Sequence, residues 1–569
     1  MNAIVEHLRA LYPDADADAL QERIAASFKQ HAYASRRPDQ DWSERDTLLI
    51  TYGDTLTKPG EEPLRTLADF LETRLQDAFS AVHLLPYFPF TSDDGFAVSS
   101  YREVRPDLGG WEDVSRIAGK FDLMTDLVLN HCSREHLLAR RLWSGDASAE
   151  PWFHVVDSAM DTTGVVRPRA TPLITPLPND PQGRGVWTTF SDDQLDFNYH
   201  NPEVLLEVID VMAQYVAAGT RLLRLDAVAY LWKERGTSCI HLPQTHRIIR
   251  LLHAILRAHA PACRLVTETN VPQDENLSYF GEGDEADLVY QFALPSLVLQ
   301  ALHRGSSVYL NRWLRDWPEL PPGCTFLNFI ASHDGIGVRP VEGIVTPAEL
   351  EDLLQTMRRF GGRISTRTGD DGREHPYEIN ITLFDALRGT RFGEDDLQIA
   401  RMLCAHVILL SLPGIPAFYI HSLLASPNDE EKARATGRAR SVNRGQLDRA
   451  ALEQQLDEPG HPRREVLEAL LGLIRLRTGQ PAFAPQASMT PLALGSGFLS
   501  LVRESSQQKI LVLCNITPEP QRVNLDTDPL GLPRAVDDLI GQSRIRVHHR
   551  HLDLTLASYQ CLWLVAVGG

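Results

Sequence analysis

Cysteine is scarce in this 569-residue chain, and the few present form no pattern. The seven are Cys132, Cys239, Cys263, Cys324, Cys404, Cys514 and Cys561, odd in number and never spaced as CxxC. That excludes a disulfide framework and a structural zinc site. Long apolar runs are missing too. None approaches the roughly 20 residues of a membrane-spanning helix, and the polar, acidic opening MNAIVEHLRALYPDADADAL has no signal-peptide core. Positive charge is in deficit: 56 Lys and Arg face 75 Asp and Glu, for a formal net charge of -19. Such a surface repels nucleic acid and anionic membranes, so neither is expected as a partner. It also repels phosphate and organic acids, so an anionic substrate would need local Arg and Lys. These absences predict a cytoplasmic enzyme with reduced thiols; its expected partners are small-molecule substrates, and the chain is expected to be a monomer or homodimer.

With 43% hydrophobic and 23% charged residues the composition is globular. The length calls for one large domain with smaller ones. Residues 1–45 carry apolar positions at helical spacing (AIVEHLRALY, LQERIAASF) and read as an N-terminal helical extension for packing or oligomer contacts. From 46 to 487, eight short apolar runs alternate with amphipathic segments: DTLLITYG, AVHLLPY, FDLMTDLVLN, RLLRLDAV, CRLVTETN, ADLVYQF, TFLNFIASHD and IPAFYI. That alternation predicts an α/β fold, a (β/α)8 barrel. An open doubly wound sheet would normally show GxGxxG after its first strand, where this chain has ITYGDTLTKPG. Two inserts, 132–200 and 335–400, follow strands and are expected over the C-terminal face of the barrel. Residues 488–569 (GFLSLVRES, KILVLCNI, RVNL, QCLWLVAV) read as a small antiparallel β-domain.

Polar residues collect at the ends of four runs: Asp126, Asn130 and His131; Arg224 and Asp226; Glu268; His333 and Asp334. One such carboxylate is usually a helix cap or a surface ion pair. Four strand ends on one rim point instead to a site. Retaining glycosyl transfer needs two carboxyl groups about 5–5.5 Å apart, one attacking the anomeric carbon and one shuttling a proton. Arg224, two residues from Asp226 on the same strand face, favours an ionised nucleophile. Glu268 is the candidate acid, and Asp334 a third carboxylate for sugar hydroxyls and developing charge. A metal-dependent barrel hydrolase would need ligands that are not in evidence: HxH is absent after the first strand and HExxH is absent altogether.

The segments DLVLNH, RLLRLDAVAY, TETN and FIASHD resemble, in order, the four signature regions of the α-amylase family (glycoside hydrolase family 13). The resemblance spans about residues 46 to 567. It implies catalytic roles for Asp226, Glu268 and Asp334, and sugar contacts at His131, Arg224 and His333. Asn130 matches a calcium-binding position of many α-amylases. LLPYFPFTSDDGFAV, RPRA, WTTFSDDQLDFNY, SHDGIGV, YEIN and RSVNR resemble the sucrose phosphorylase branch more narrowly. There a glucosyl-enzyme is attacked by phosphate, no metal or cofactor is needed, and phosphate is a co-substrate. That likeness implies glucose contacts at Asp93, Phe96, Tyr230 and Arg444, and phosphate contacts at Arg167 and Tyr377, with Arg169 beyond the intervening Pro.

One stretch departs from that branch. The sucrose phosphorylases' fructose-binding Asp and Gln are replaced by His375 and Glu378 in EHPYEIN. The N-terminal segment, VRPRATPLITPL and WKERGTSCIHLPQTH instead resemble glucosylglycerate phosphorylases. Their acceptor carries a carboxylate, for which Arg134, His375, Lys233 and Arg169 are candidate partners. Phosphorylases of glucosylglycerol, sucrose or sucrose 6-phosphate are close rivals. A hydrolase or transglucosidase shares the same nucleophile, and an inactive binding subunit is a distant alternative.

Overall fold

The computed structural model describes residues 3–31, 41–169, 171–178, 180–368 and 373–566. All eight apolar runs form strands of one closed barrel. They are β1 (Leu48–Thr51), β2 (Ala81–Leu84), β3 (Asp122–Val128), β4 (Thr220–Asp226), β5 (Arg264–Thr267), β6 (Leu288–Tyr290), β7 (Thr325–Phe329) and β8 (Ile415–Tyr419). Each pairs in parallel with the next, and β8 closes on β1. Helices cover the outside and side chains fill the inside, which is why these runs are apolar almost throughout instead of alternating. In β3 and β4 polar residues break the rule: Arg224 lies opposite Asp126, and Asp226 opposite Val128. Alternation along β4 puts Arg224 and Asp226 on one face and buries Leu223 and Leu225 on the other.

At the N-terminus α1 (Ala3–Leu11) and α2 (Ala17–Gln30) form, the second capped by Asp16 accepting from the amides of Asp18 and Ala19. They lie on the barrel's outer helices α3 (Pro202–Ala217) and α4 (Pro243–His259), α1 on α4 and α2 on α3. Ile4, Leu8, Ile24 and Phe28 join the main apolar core, and Arg23 forms a two-pronged pair with Glu203 at 2.7 Å. This segment therefore packs against the barrel from outside.

Two elaborations rise from the barrel rim. After β3, His131–Ser133 pairs antiparallel with Gln194–Asp196, and a three-stranded sheet (Val155–Asp157, Ile174–Pro176, Arg184–Trp187) lies between them in sequence. After β7, Ile336–Gly337, Glu374–Asn380 and Arg363–Thr368 make a second three-stranded sheet. Beyond the barrel, a six-stranded sheet runs in the order Ser488–Pro491, Phe498–Glu504, Lys509–Asn515, Cys561–Ala566, Ala535–Asp538, Ser543–Arg546. All its pairings are antiparallel. Buried Arg503 and Trp563 tie this sheet to Ser411 of the barrel's helix Gln398–Ser411, at 3.0 and 2.9 Å.

Candidate active site

The strand ends converge on one cavity. Asp226 is the last residue of β4, Glu268 follows β5, and Asp334 stands beyond β7; all three line the cavity with Asp93, Phe96, His131, Arg224 and Tyr230. Arg224 organises the floor. Its Nη1 donates to Asp226 Oδ1 at 2.9 Å and also to Asp126, and its Nη2 lies 3.8 Å from Glu268 Oε2. Behind it His83 donates to Asp126 at 2.7 Å. Immediately after Asp226 the chain turns through Ala227 at φ 56°. For a residue with a Cβ that costs about 1–2 kcal/mol. The turn aims the Ala227 N–H at Glu268, which accepts it.

Burial pushes both Asp226 and Glu268 upward, and the charge of Glu268 raises Asp226 further. A pair in that state holds a proton between its members. The two are not equivalent, since Arg224 is hydrogen-bonded to Asp226 and more distant from Glu268. That contact favours the negative charge on Asp226 over Glu268, although burial raises Asp226 the more strongly of the two. Asp334 goes the other way. Burial would raise it, but Arg440 at 2.7 Å and Arg444 at 3.3 Å, with His333 and Arg224, hold it well below the usual carboxylate range. Burial lowers His131 to about 4, so its ring is neutral.

A second chamber opens outward from the first. Asp93, Pro168, Arg169, Gln194, Tyr377, Glu378 and Arg440 line both. Asp93 and Asp94 are both left-handed, at φ 55° and 48°. The strained pair is held by Arg169, 3.0 Å from Asp93, and Arg444, 2.6 Å from Asp94. Burial would raise Asp93, but Arg169, Arg440 and Arg444 outweigh it and keep it low. EHPYEIN is a strand, not a loop, and carries a bulge. Ser365 pairs with Glu378 and Thr366 with Pro376, leaving Tyr377 as the extra residue. The bulge lets neighbours Tyr377 and Glu378 both reach the cavity. A Cβ on Gly335 would sit 2.8 Å from Cβ of Glu378, so this close approach needs glycine there.

Several expected contacts fall elsewhere. Arg134 is spent on Asp192, donating to its carbonyl at 2.6 Å, and covers the Trp143 ring at 4.6 Å. Of the two RPR arginines it is Arg169, not Arg167, that lines the cavity. His375 precedes the bulge, opposite Arg367, and lines neither chamber. Lys233 is buried beneath the site. Its Nζ reaches Asn130 Oδ1 at 2.8 Å, the Tyr230 carbonyl at 2.5 Å and Asp196 Oδ2 at 2.5 Å, leaving nothing for a substrate. The cation beside Asn130 is thus a lysine, and among the described residues no group of three or more His, Cys, Asp or Glu is arranged to hold a metal ion. His333 stacks behind Phe96 (5.4 Å, 11°), outside the lining, and Arg444 lines only the outer chamber.

The structure adds residues that sequence reading missed. Phe190 meets Tyr230 edge-on and carries Arg169 over its face. Gln194 lies 3.0 Å from His131 Nε2. Both belong to WTTFSDDQLDFNY, and Asn270 ends TETN, so the motifs pointed to the right segments without resolving which positions face inward. Arg440 opens RSVNR and Phe292 ends ADLVYQF, so these segments too were marked without the inward-facing position.

Residues 75–335 match the α-amylase catalytic domain. The chain belongs to the α-amylase family. Within it, the chain groups with the glycoside phosphorylases. It is 45% identical to a glucosylglycerate phosphorylase of Allomeiothermus silvanus over 92% of this chain and 94% of that one. It is 38% identical to a glucosylglycerate phosphorylase of Escherichia coli over 99% of both. Among solved structures, a sucrose 6F-phosphate phosphorylase from Thermoanaerobacter thermosaccharolyticum superimposes with a TM-score of 0.73 at 24% identity. The match covers 90% of this chain and 98% of that one and establishes the shared fold. No helix among the described residues is long and apolar enough to cross a membrane.

Proposed function

We propose that this enzyme reversibly phosphorolyses 2-O-α-D-glucosyl-D-glycerate to α-D-glucose 1-phosphate and D-glycerate, with retention. Asp226 attacks the anomeric carbon as the Glu268 proton passes to the departing glycerate oxygen, leaving a β-glucosyl ester on Asp226. A phosphate oxygen then attacks the same carbon, the ester bond breaks, and Glu268 takes the proton of the incoming phosphate hydroxyl. Asp334, ionised by its arginines, binds sugar hydroxyls and stabilises positive charge at the ring. His131, Phe96, Tyr230 and Asp93 form the walls of the glucose pocket. Inorganic phosphate is the co-substrate, bound by Arg169 and Tyr377, and the chemistry requires no cofactor.

The observation that carries this reading is the placement of Arg169 and Tyr377 in the same cavity as the carboxylate pair bridged by Arg224. A hydrolase has no anionic co-substrate for a cavity-lining guanidinium such as Arg169 to hold. The kinship with proteins named glucosylglycerate phosphorylase supports the choice of acceptor. Phosphate release from α-glucose 1-phosphate, measured with D-glycerate, glycerol, fructose, fructose 6-phosphate or water alone, is the test. Rapid release with D-glycerate alone is expected. Preference for another acceptor would overturn the specificity, and release with none would overturn phosphorolysis.

A further inference from the structure

Arg440 stands in the wall shared by the two chambers, and its guanidinium is only partly used. Its Nε and Nη2 donate to Glu378 at 3.1 and 2.6 Å, and its Nη1 pairs with Asp334 Oδ1 at 2.7 Å. A guanidinium has five N–H donors in a fixed plane; three are engaged, and two remain on a residue that lines both chambers. Glu378 locks one edge and Asp334 another, so the free donors are held rigidly beside the carboxylate that is to hold the sugar. Its neighbour in the shared wall is Arg169, which gives one Nη to Asp93 and is otherwise open to the cavity. The charges of Arg169 and Arg440 overlap at Asp93, which both of them hold ionised. The residues expected to meet an acidic acceptor, Arg134 and His375, line neither chamber, and Lys233 is consumed beneath the floor.

We propose that the throat between the chambers is a carboxylate site and that Arg440 is the residue by which the enzyme selects an anionic acceptor. An α-hydroxy acid whose hydroxyl is joined to, or attacks, the anomeric carbon carries its carboxylate one carbon from the reacting oxygen. Arg440 contacts Asp334 and lines both chambers, which places its guanidinium between the sugar site and the outer chamber, whereas the arginine on the outer lip, Arg438, lines only the outer chamber. A neutral polyol would leave the two free N–H groups unpaired in a partly desolvated wall, which costs affinity; a carboxylate fills them with charge-assisted bonds. Discrimination of this kind comes from the site's own unmet donors. The proposal rests on the reading of the enzyme as a glycerate-specific phosphorylase.

The test uses the full-length enzyme in the synthetic direction with α-glucose 1-phosphate, comparing kcat/KM for D-glycerate with that for the uncharged D-glyceramide and glycerol. Wild type, R440Q and R440K are assayed, with hydrolysis of α-glucosyl fluoride reporting the glucosyl site in the same preparations. Wild type is expected to favour the carboxylate. R440Q should lose at least tenfold more activity with D-glycerate than with the neutral acceptors or with water, mainly through KM, and R440K should recover part of the preference. An R440Q enzyme that keeps the wild-type preference overturns the inference and leaves the phosphorylase reading standing. Equal losses with all acceptors and with water also overturn it, assigning Arg440 to Asp334 alone. A wild type with no preference for the carboxylate overturns both readings.

Discussion

Replacing Lys233 by Met removes a buried cation while keeping the length of its stem. The ammonium is almost inaccessible, and its partner Asp196 wholly so. Breaking a buried pair from one side costs about 3–5 kcal/mol, because the remaining charge is stranded. Here Asp196 keeps other donors: Thr189 N at 2.9 Å, Thr189 Oγ1 at 2.6 Å and Asn130 Nδ2 at 3.1 Å. Those bonds remain after the substitution and put the cost at the low end, about 3 kcal/mol. With an unfolding entropy of about 2.1 cal/mol/K per residue, a barrel of roughly 440 residues loses about 3 °C in Tm for that cost. Differential scanning calorimetry at pH 7 measures it. K233M/D196N should fall by less than the two single substitutions added together, since the stranded charge is gone. The loss should also reach function, because Asn130, released by Lys233, lies 3.2 Å from Nδ1 of His131 in the glucose pocket. A Tm within 1 °C of wild type, or strict additivity in the double mutant, would show that Lys233 is not the buried counter-ion its distances imply.

Asp226→Asn should abolish phosphorolysis and synthesis together, by about three orders of magnitude or more; near-normal turnover in either direction would refute its role as nucleophile. Glu268→Gln should stop phosphorolysis of the glucoside yet still be glucosylated by α-glucosyl fluoride, whose leaving group needs no proton. Because burial raises Glu268, the acid form persists above the ordinary carboxylate range. The alkaline limb of kcat/KM, where that proton is lost, should vanish for Glu268→Gln with the fluoride; an unchanged limb would assign it to another group. Arg169→Ala should raise KM for phosphate about 10- to 100-fold, the worth of a charge-assisted bond. Arg167→Ala should leave it nearly unchanged, and the reverse order in initial-rate kinetics would exchange their roles.

Much of this protein is determined by the order of residues alone. Each barrel strand is buried on both faces and so reads as an apolar run, and all eight were legible for that reason. The i, i+2 spacing of Arg224 and Asp226 follows from strand alternation and needs no tertiary information. What failed were positions whose direction depends on packing. Arg167 and Arg169 share a composition and a loop, and only the fold shows which one enters the cavity. His375 and Tyr377 belong on one face of a regular strand, but the bulge at Tyr377 breaks the alternation and delivers Tyr377 and Glu378 to the cavity. Arg440 and Glu378 are 62 residues apart in the chain, and Lys233 and Asn130 are 103 apart. The sequence alone sets the barrel and the placement of Asp226, Glu268 and Asp334 at the ends of its strands, because local periodicity encodes those strands. Which cations face substrate and which are consumed as counter-ions was decided only by the tertiary fold, because a charge takes its role from the partners that folding brings within hydrogen-bond reach.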